Sequence, residues 1–293
     1  MNRICLALVG VVSAAALALP AAEAQRPPDG RLDTLLRLAR GYAESYGDRL
    51  ALVLATERYE QMVVADARDG AISGGSQKGR TRVLVSDVIW APSDQEIALL
   101  FYRDVYSVDA KAVRDRGDRL LPLFASGPIE RGREKAKQVL NESARFNLGT
   151  AYWNVNFPTL ALSILHPRNR DRFRFRLGGE STLQGKRAAE IAFREQARPT
   201  LAQSASGADY VASGSAWVAL QDGAVLKTEL RYEALPGRIR VGYRYEPKLS
   251  AFVPDTMHEF FGGKNTLQMI EGTATYTEYR RGEAEVGPIL YKK

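Results

Sequence analysis

Arg172-Phe173-Arg174-Phe175-Arg176-Leu177 alternates cations with apolar residues. That is the pattern of a strand whose successive side chains point to opposite faces. Gly178-Gly179 is expected to end the run, and similar runs follow. Arg187 to Gln196 sets Ala189, Ile191 and Phe193 against Glu190, Ala192 and Arg194. Further runs occupy Ser213 to Leu220, Ala224 to Ala234, Arg238 to Glu246, Ala251 to Phe261 and Thr266 to Tyr279. Seven such runs with turn residues between them predict an antiparallel meander.

One face of that meander carries Phe173, Phe175, Ile191, Phe193, Leu226, Leu230, Tyr232, Ile239, Val241, Tyr243 and Tyr245. This is more apolar surface than a monomer leaves in water, so other elements must cover it. Three candidates stand upstream. Leu32, Leu35, Leu36, Ala39, Tyr42, Ala43 and Tyr46 recur at helical intervals, with Gly47 as a plausible stop. A second helix is expected from Ile129 to about Asn147, with a thin stripe of Ala136, Val139, Leu140, Ser143 and Phe146 or Asn147. A third segment, Phe157 to Leu165, is apolar on nearly every side and ends at His166-Pro167. Leu50 to Asp66, Thr81 to Trp90 and Glu96 to Val108 read as a long strand and a hairpin that extend the sheet. The expected fold is therefore α+β: a curved antiparallel sheet, a half-barrel, wrapped around a few helices, with a helical insert at about residues 128–166.

The amino terminus has Arg3, an apolar run from Ile4 to Leu19, and the small-residue site Ala22-Glu23-Ala24, the form of a secretory signal peptide spanning residues 1–24. The apolar run is shorter than a spanning helix needs. Cleavage leaves residues 25–293 as one half-barrel-like domain, periplasmic or secreted and not membrane-spanning. The only cysteine, Cys5, would be lost with the leader, so neither a disulfide nor a thiolate metal site is available to the mature chain. A net charge of +7 favours weak attraction to an anionic membrane surface. Nucleic acid is not expected as a partner, since no motif interleaves basic residues with stacking aromatics.

Groups that suggest chemistry have simpler readings. Gly74-Gly75-Ser76-Gln77-Lys78-Gly79-Arg80-Thr81 resembles a phosphate-binding loop, but a strand rather than a helix is expected after it. In Glu57-Arg58-Tyr59-Glu60, alternation puts Arg58 and Glu60 on one face and Glu57 and Tyr59 on the other, the form of a solvated, salt-bridged edge. His166 and His258, the two histidines, lie in no metal-ligand spacing. No Gly-x-Ser-x-Gly elbow occurs, and no catalytic residue, metal or cofactor is assigned. Arg168, Arg170, Arg172, Arg174 and Arg176 would line one face at intervals of about 7 Å if the stretch were wholly extended. Arg172, Arg174 and Arg176 are then the candidate anion contacts, against the alternative of a solvated face balanced by acids such as Glu190.

Helix, long strand, hairpin, helical insert and meander, in that order, resemble the half-barrel of periplasmic lipoprotein carriers, the LolA/LolB-like fold. Tyr102-Arg103-Asp104-Val105-Tyr106-Ser107-Val108-Asp109, Leu165-His166-Pro167-Arg168-Asn169, Phe252-Val253-Pro254-Asp255-Thr256-Met257 and Ala274-Thr275-Tyr276-Thr277-Glu278-Tyr279-Arg280-Arg281 also resemble segments of a family of exported bacterial proteins. That second likeness implies no particular activity. The excess of apolar strand positions points to a non-enzymatic binding protein holding a lipid or acylated ligand between sheet and helices. The expected lining is Phe173, Phe175, Ile191, Phe193, Trp217, Leu230, Tyr232, Val241 and Tyr243. The alternative is an envelope protein-protein interaction or sensor module, in which the same residues close into a packed core.

Overall fold

The computed structural model describes residues 30–66, 80–92, 99–125, 129–148, 157–203, 207–233, 237–262 and 268–282. The expected leader and the glycine-rich segment 74–79 lie outside them. α1 (Gly30–Leu50) buries Leu35, Leu36, Ala39, Tyr42, Ala43, Tyr46 and Leu50, the stripe its spacing predicts. Three long strands follow: β1 (Val53–Asp66), β2 (Thr81–Pro92) and β3 (Leu99–Val108), with the short β4 (Lys111–Ala112) at the edge. α2 (Leu121–Ala125), α3 (Ile129–Ala144) and α4 (Leu160–Leu165) form the insert, and a 3-10 turn at Pro167–Arg172 leads into the meander.

The meander comprises β5 (Phe173–Leu183), β6 (Lys186–Glu195), β9 (Ala212–Ala219), β10 (Val225–Tyr232), β11 (Gly237–Glu246), β12 (Ala251–Phe261) and β13 (Gln268–Arg281). A two-stranded arm, β7 (Ala202–Gln203) with β8 (Asp209–Tyr210), interrupts it between β6 and β9. β13 pairs antiparallel with β1, so both halves join in one sheet of 11 strands ordered β4-β3-β2-β1-β13-β12-β11-β10-β9-β6-β5. The sheet is a curved half-barrel that does not close on itself. Its inner face holds the main core, in which α1 and α4 pack against residues of every long strand.

Four local readings need correction. Gly178-Gly179 does not end β5. The strand continues to Leu183 past a bulge between Leu177 and Glu180, where a Cβ on Gly178 would stand 2.9 Å from Glu190. The arginine ladder is broken because Arg168, Arg170 and Arg172 lie on the 3-10 turn, leaving Arg174 and Arg176 on the strand. Glu57 to Glu60 sits on a central strand between β2 and β13, not on an edge.

The insert helix, finally, does not roof the inner face. Ala136 and Val139 of α3 pack with Leu54, Ile89 and Tyr102, whereas Val53, Val88 and Phe101, each one position away, belong to the main core. By strand alternation α3 therefore covers the outer face of β1–β3. It also caps the sheet edge. The Ser143 hydroxyl donates to the Arg103 carbonyl at 2.8 Å and accepts from Val105 N–H at 3.3 Å, satisfying backbone groups that β4 is too short to reach. The chain then turns inward, where Phe146 joins the main core and Leu148 meets Val63 and Ile270.

Candidate functional site: an apolar seam and a buried polar cluster

The inner face under β5 to β11 is mostly apolar, with Glu195 and Thr228 as its buried polar residues. All six residues of α4 are buried, five of them hydrophobic, and they press on β10 and α1. At this seam lies a cavity of about 40 Å³ lined by Phe157, Leu160, Ile164, Leu201, Ala202, Ala212, Leu230 and Tyr232. No charged side chain borders it. Three separate elements meet there: α4, the β7–β8 arm and the sheet.

Two sets of polar contacts flank the seam. The Tyr243 hydroxyl donates to the Pro158 carbonyl at 2.8 Å, tying the entry to α4 onto β11. The second is Glu195, buried at the root of the arm, whose carboxylate accepts from Leu201 N–H at 2.8 Å, Ala212 N–H at 3.3 Å and Arg172 at 3.4 Å. Both sets of bonds satisfy backbone groups that would otherwise be buried without partners.

Of the expected lining, Leu230 and Tyr232 border the cavity. Phe173, Ile191, Phe193, Val241 and Tyr243 are buried in the surrounding core. Phe175 is half-buried beneath the Arg40 guanidinium, 5.6 Å from its ring centre. Trp217 is on the outer face: its neighbours Ala216 and Val218 are the inward pair, and its ring lies 4.3 Å under the Lys227 ammonium. Its place as lining is thereby withdrawn. Among the expected anion contacts, Arg174 and Arg176 are exposed, while Arg172 is half-buried and bonds Glu195 and the Pro199 carbonyl. Arg172 thus serves the arm.

The other half of the inner face is unlike this. Glu57 is fully buried and its carboxylate is gripped in a fork by Arg103, with Nη2 2.7 Å from Oε1 and Nε on Oε2. The guanidinium lies 5.2 Å from the Tyr59 ring centre and 5.3 Å from that of Phe101. Tyr59 donates to Glu259 Oε1, whereas Glu259 Oε2 is buried with no hydrogen-bond partner. Burial, then repulsion from Glu57, pushes the Glu259 carboxyl up to about 8. Burial and the same neighbouring charge hold the Tyr276 hydroxyl well above its ordinary 10. A bare Gly272 makes room, since a Cβ there would lie 2.7 Å from both Glu259 Cγ and the Tyr59 ring. Arg103 thus pairs with Glu57, while Glu259 bonds the neutral Tyr59 hydroxyl, and its raised pKa favours the protonated carboxyl at neutral pH.

Sequence reading put Glu57 and Tyr59 on one face but not inside, because β1 was not known to be central. Arg103 and Glu259 carried no local sign at all; only register brings them to Glu57. His166 caps the 3-10 turn, its Nδ1 accepting from Arg168 N–H at 3.2 Å, and burial lowers its pKa. His258 is exposed beside Thr273. Among the described residues, no group of three or more His, Cys, Asp or Glu side chains is placed to hold a metal ion. No helix among them is long and apolar enough to cross a membrane.

No protein-family model matches this chain, and no curated protein matches it in sequence. Among solved structures it is similar to a domain described as an outer membrane lipoprotein-sorting protein from Vibrio parahaemolyticus. Identity is 10% and the TM-score 0.41, over 86% of this chain and 95% of that one. A LolA superfamily protein from Nitrosomonas europaea shows 8% identity and a TM-score of 0.38, over 86% and 94%. A DUF1329 family protein from Desulfovibrio piger shows 11% and 0.36, over 89% and 95%. At scores this low the likeness assigns no ligand, partner or residue role to this chain.

Proposed function

We propose that this chain is an exported, non-enzymatic envelope protein that binds an apolar, lipid-like ligand at the seam beneath its sheet. The observation that supports it most is the lining of the cavity: α4, the arm and the meander converge there with almost wholly apolar surface and no charged side chain. The ligand would enter by parting α4 from β10. At about 40 Å³ the cavity is far below the roughly 300 Å³ at which ligand pockets begin, so on this reading the seam must widen to admit a ligand. α4 is suited to such a movement, being six residues long and held at its entry by one tyrosine hydroxyl.

The small volume also favours a second reading, a module with a permanently packed core that binds a protein partner through its surface. Native mass spectrometry of the chain exported with its own leader and gently extracted separates the two. A lipid-sized adduct that disappears in Ala212→Leu, which fills the seam, is the expected result. A ligand-free mass in every preparation, with no uptake of added dodecanoate, would leave the packed module.

A further inference from the structure

The open sheet has two edges, and they are finished differently. At one, β4 is two residues long and Ser143 of α3 satisfies the backbone of the strand beside it. At the other, β5 runs for 11 residues as the last strand of the sheet, and no described strand pairs with its outer side. A long uncovered edge is a template for another strand.

The register fixes which groups that edge presents. Gln196 N–H donates to the Arg172 carbonyl at 2.8 Å, so by the alternation of an antiparallel ladder Arg174 and Arg176 also turn their backbone groups toward β6. Leu220 N–H donates to the Arg187 carbonyl at 2.9 Å, which agrees: Arg187, Ala189, Ile191 and Phe193 serve β9 instead of β5. The N–H and C=O groups of Phe175 and Leu177 therefore point outward, off the sheet. Their side chains are half-buried at the rim of the main core, on the inner face. Arg174 and Arg176 expose their guanidinium groups on the outer face. The edge thus offers main-chain hydrogen bonds, an apolar rim on one face and cations on the other.

Neighbouring strands do not neutralise those cations. Arg174 stands opposite Arg194, whose guanidinium already holds Glu233 at 2.7 and 2.9 Å, and Arg176 stands opposite Ala192. Glu190 accepts from Ser215 Oγ at 2.5 Å and lies against Gly178. A second copy of β5 laid antiparallel on the first, with inner and outer faces matched, would bring guanidinium groups face to face. An acidic strand meets no such repulsion.

We infer that β5 is a docking edge for an extended segment of a partner protein in which acidic and apolar residues alternate. The segment adds antiparallel, as the strands of this sheet do. Its apolar residues stand opposite Phe175 and Leu177, share the inner face and exchange main-chain hydrogen bonds with them. Its acids stand opposite Arg174 and Arg176, at the non-hydrogen-bonded positions where cross-strand side chains come closest. The bulge between Leu177 and Glu180 breaks the register, so the footprint is the stretch from Phe173 to Leu177. It contains no residue of the seam and does not depend on a lipid ligand.

The test is fluorescence anisotropy of the mature chain with a labelled heptapeptide that alternates glutamate and valine. Saturable binding is expected, with a lysine–valine counterpart about tenfold weaker. N-methylation of the valines, whose N–H groups face β5, should abolish binding, whereas N-methylation of the glutamates, whose N–H groups face away, should spare it. Arg174→Glu with Arg176→Glu, both at exposed positions, should reverse the preference toward the lysine peptide at an unchanged melting temperature. Ala212→Leu, which fills the seam, should leave peptide binding intact, so edge and seam fail separately. Equal loss from the two methylation patterns would reduce the contact to charge attraction and overturn the assignment. Absence of binding would overturn it too: a chain that sediments as a dimer would make a second copy the occupant, and a monomer would leave an edge guarded by its arginines.

Discussion

The two halves of the inner face solve the same problem in opposite ways. Under the β5–β11 part of the meander, the helix α4 and the strands β9–β11 meet largely through apolar side chains and leave a small void. Under β1–β3, β12 and β13, the strands bury Glu57, Arg103 and Glu259 together with Tyr59 and Tyr276. An apolar contact can part and close again at little cost in specificity, because it has no direction. A buried ion pair cannot, since separating it exposes two unsatisfied charges to a poor solvent. Under the proposed function the Glu57–Arg103 cluster stays fixed and the contact of α4 with β10, which carries no ion pair, is the part that opens, while the buried Glu195–Arg172 pair keeps the arm in place.

The largest effect that would break this comparison comes from Arg103. Arg103→Met leaves the Glu57 charge buried without its partner and should cost about 3–5 kcal/mol in urea unfolding. Adding Glu57→Leu should restore much of it. In the apolar half, Leu230→Ala should cost about 2–5 kcal/mol through a cavity term, and that loss should be the same at pH 5 and pH 8.

The pH dependence sharpens the contrast further. Glu259 has its carboxyl raised from an ordinary 4.5 to about 8. Between those values the unfolded chain has released the proton and the folded chain still holds it, so stability falls as pH rises across the window, by on the order of a few kcal/mol. Burial raises Asp104 to about 6, which acts in the same direction over the lower part of that range. Glu259→Gln should flatten the upper part of the profile measured by thermal unfolding at pH 5 to 8. A profile unchanged by the substitution would remove Glu259 from the account. A smaller effect is expected at the hinge of the seam: Tyr243→Phe, which removes one hydrogen bond to Pro158, should cost about 1 kcal/mol. The smallest is at the exposed Arg58–Glu60 pair, 3.1 Å apart, where Arg58→Gln should change stability by under about 0.5 kcal/mol.

The strands were legible in the sequence because alternation is local. Runs such as Arg238 to Glu246 and Ala251 to Phe261 fall within a residue of β11 and β12. Inward and outward parity was legible for Phe173, Phe193 and Tyr243, all buried. It failed at Trp217, where bulk suggested the interior but the small Ala216 and the Val218 beside it occupy the inward positions. The insert helix shows a different limit. The stripe Ala136, Val139 and Ser143 says that one side is covered, not which face of which strand covers it. Long-range register was invisible throughout, and so was the polar cluster: Glu57, Arg103 and Glu259 come from three distant segments, each unremarkable alone.

Hydrogen exchange resolved by segment tests most directly whether the apolar half opens independently of the polar half. The account predicts that amides of Leu162 to Leu165 in α4 exchange by a local opening far faster than those of Glu57 to Gln61 in β1, and that saturating dodecanoate slows α4 while leaving β1 unchanged. Exchange of α4 only through global unfolding, at the rate of β1 and indifferent to dodecanoate, would contradict it.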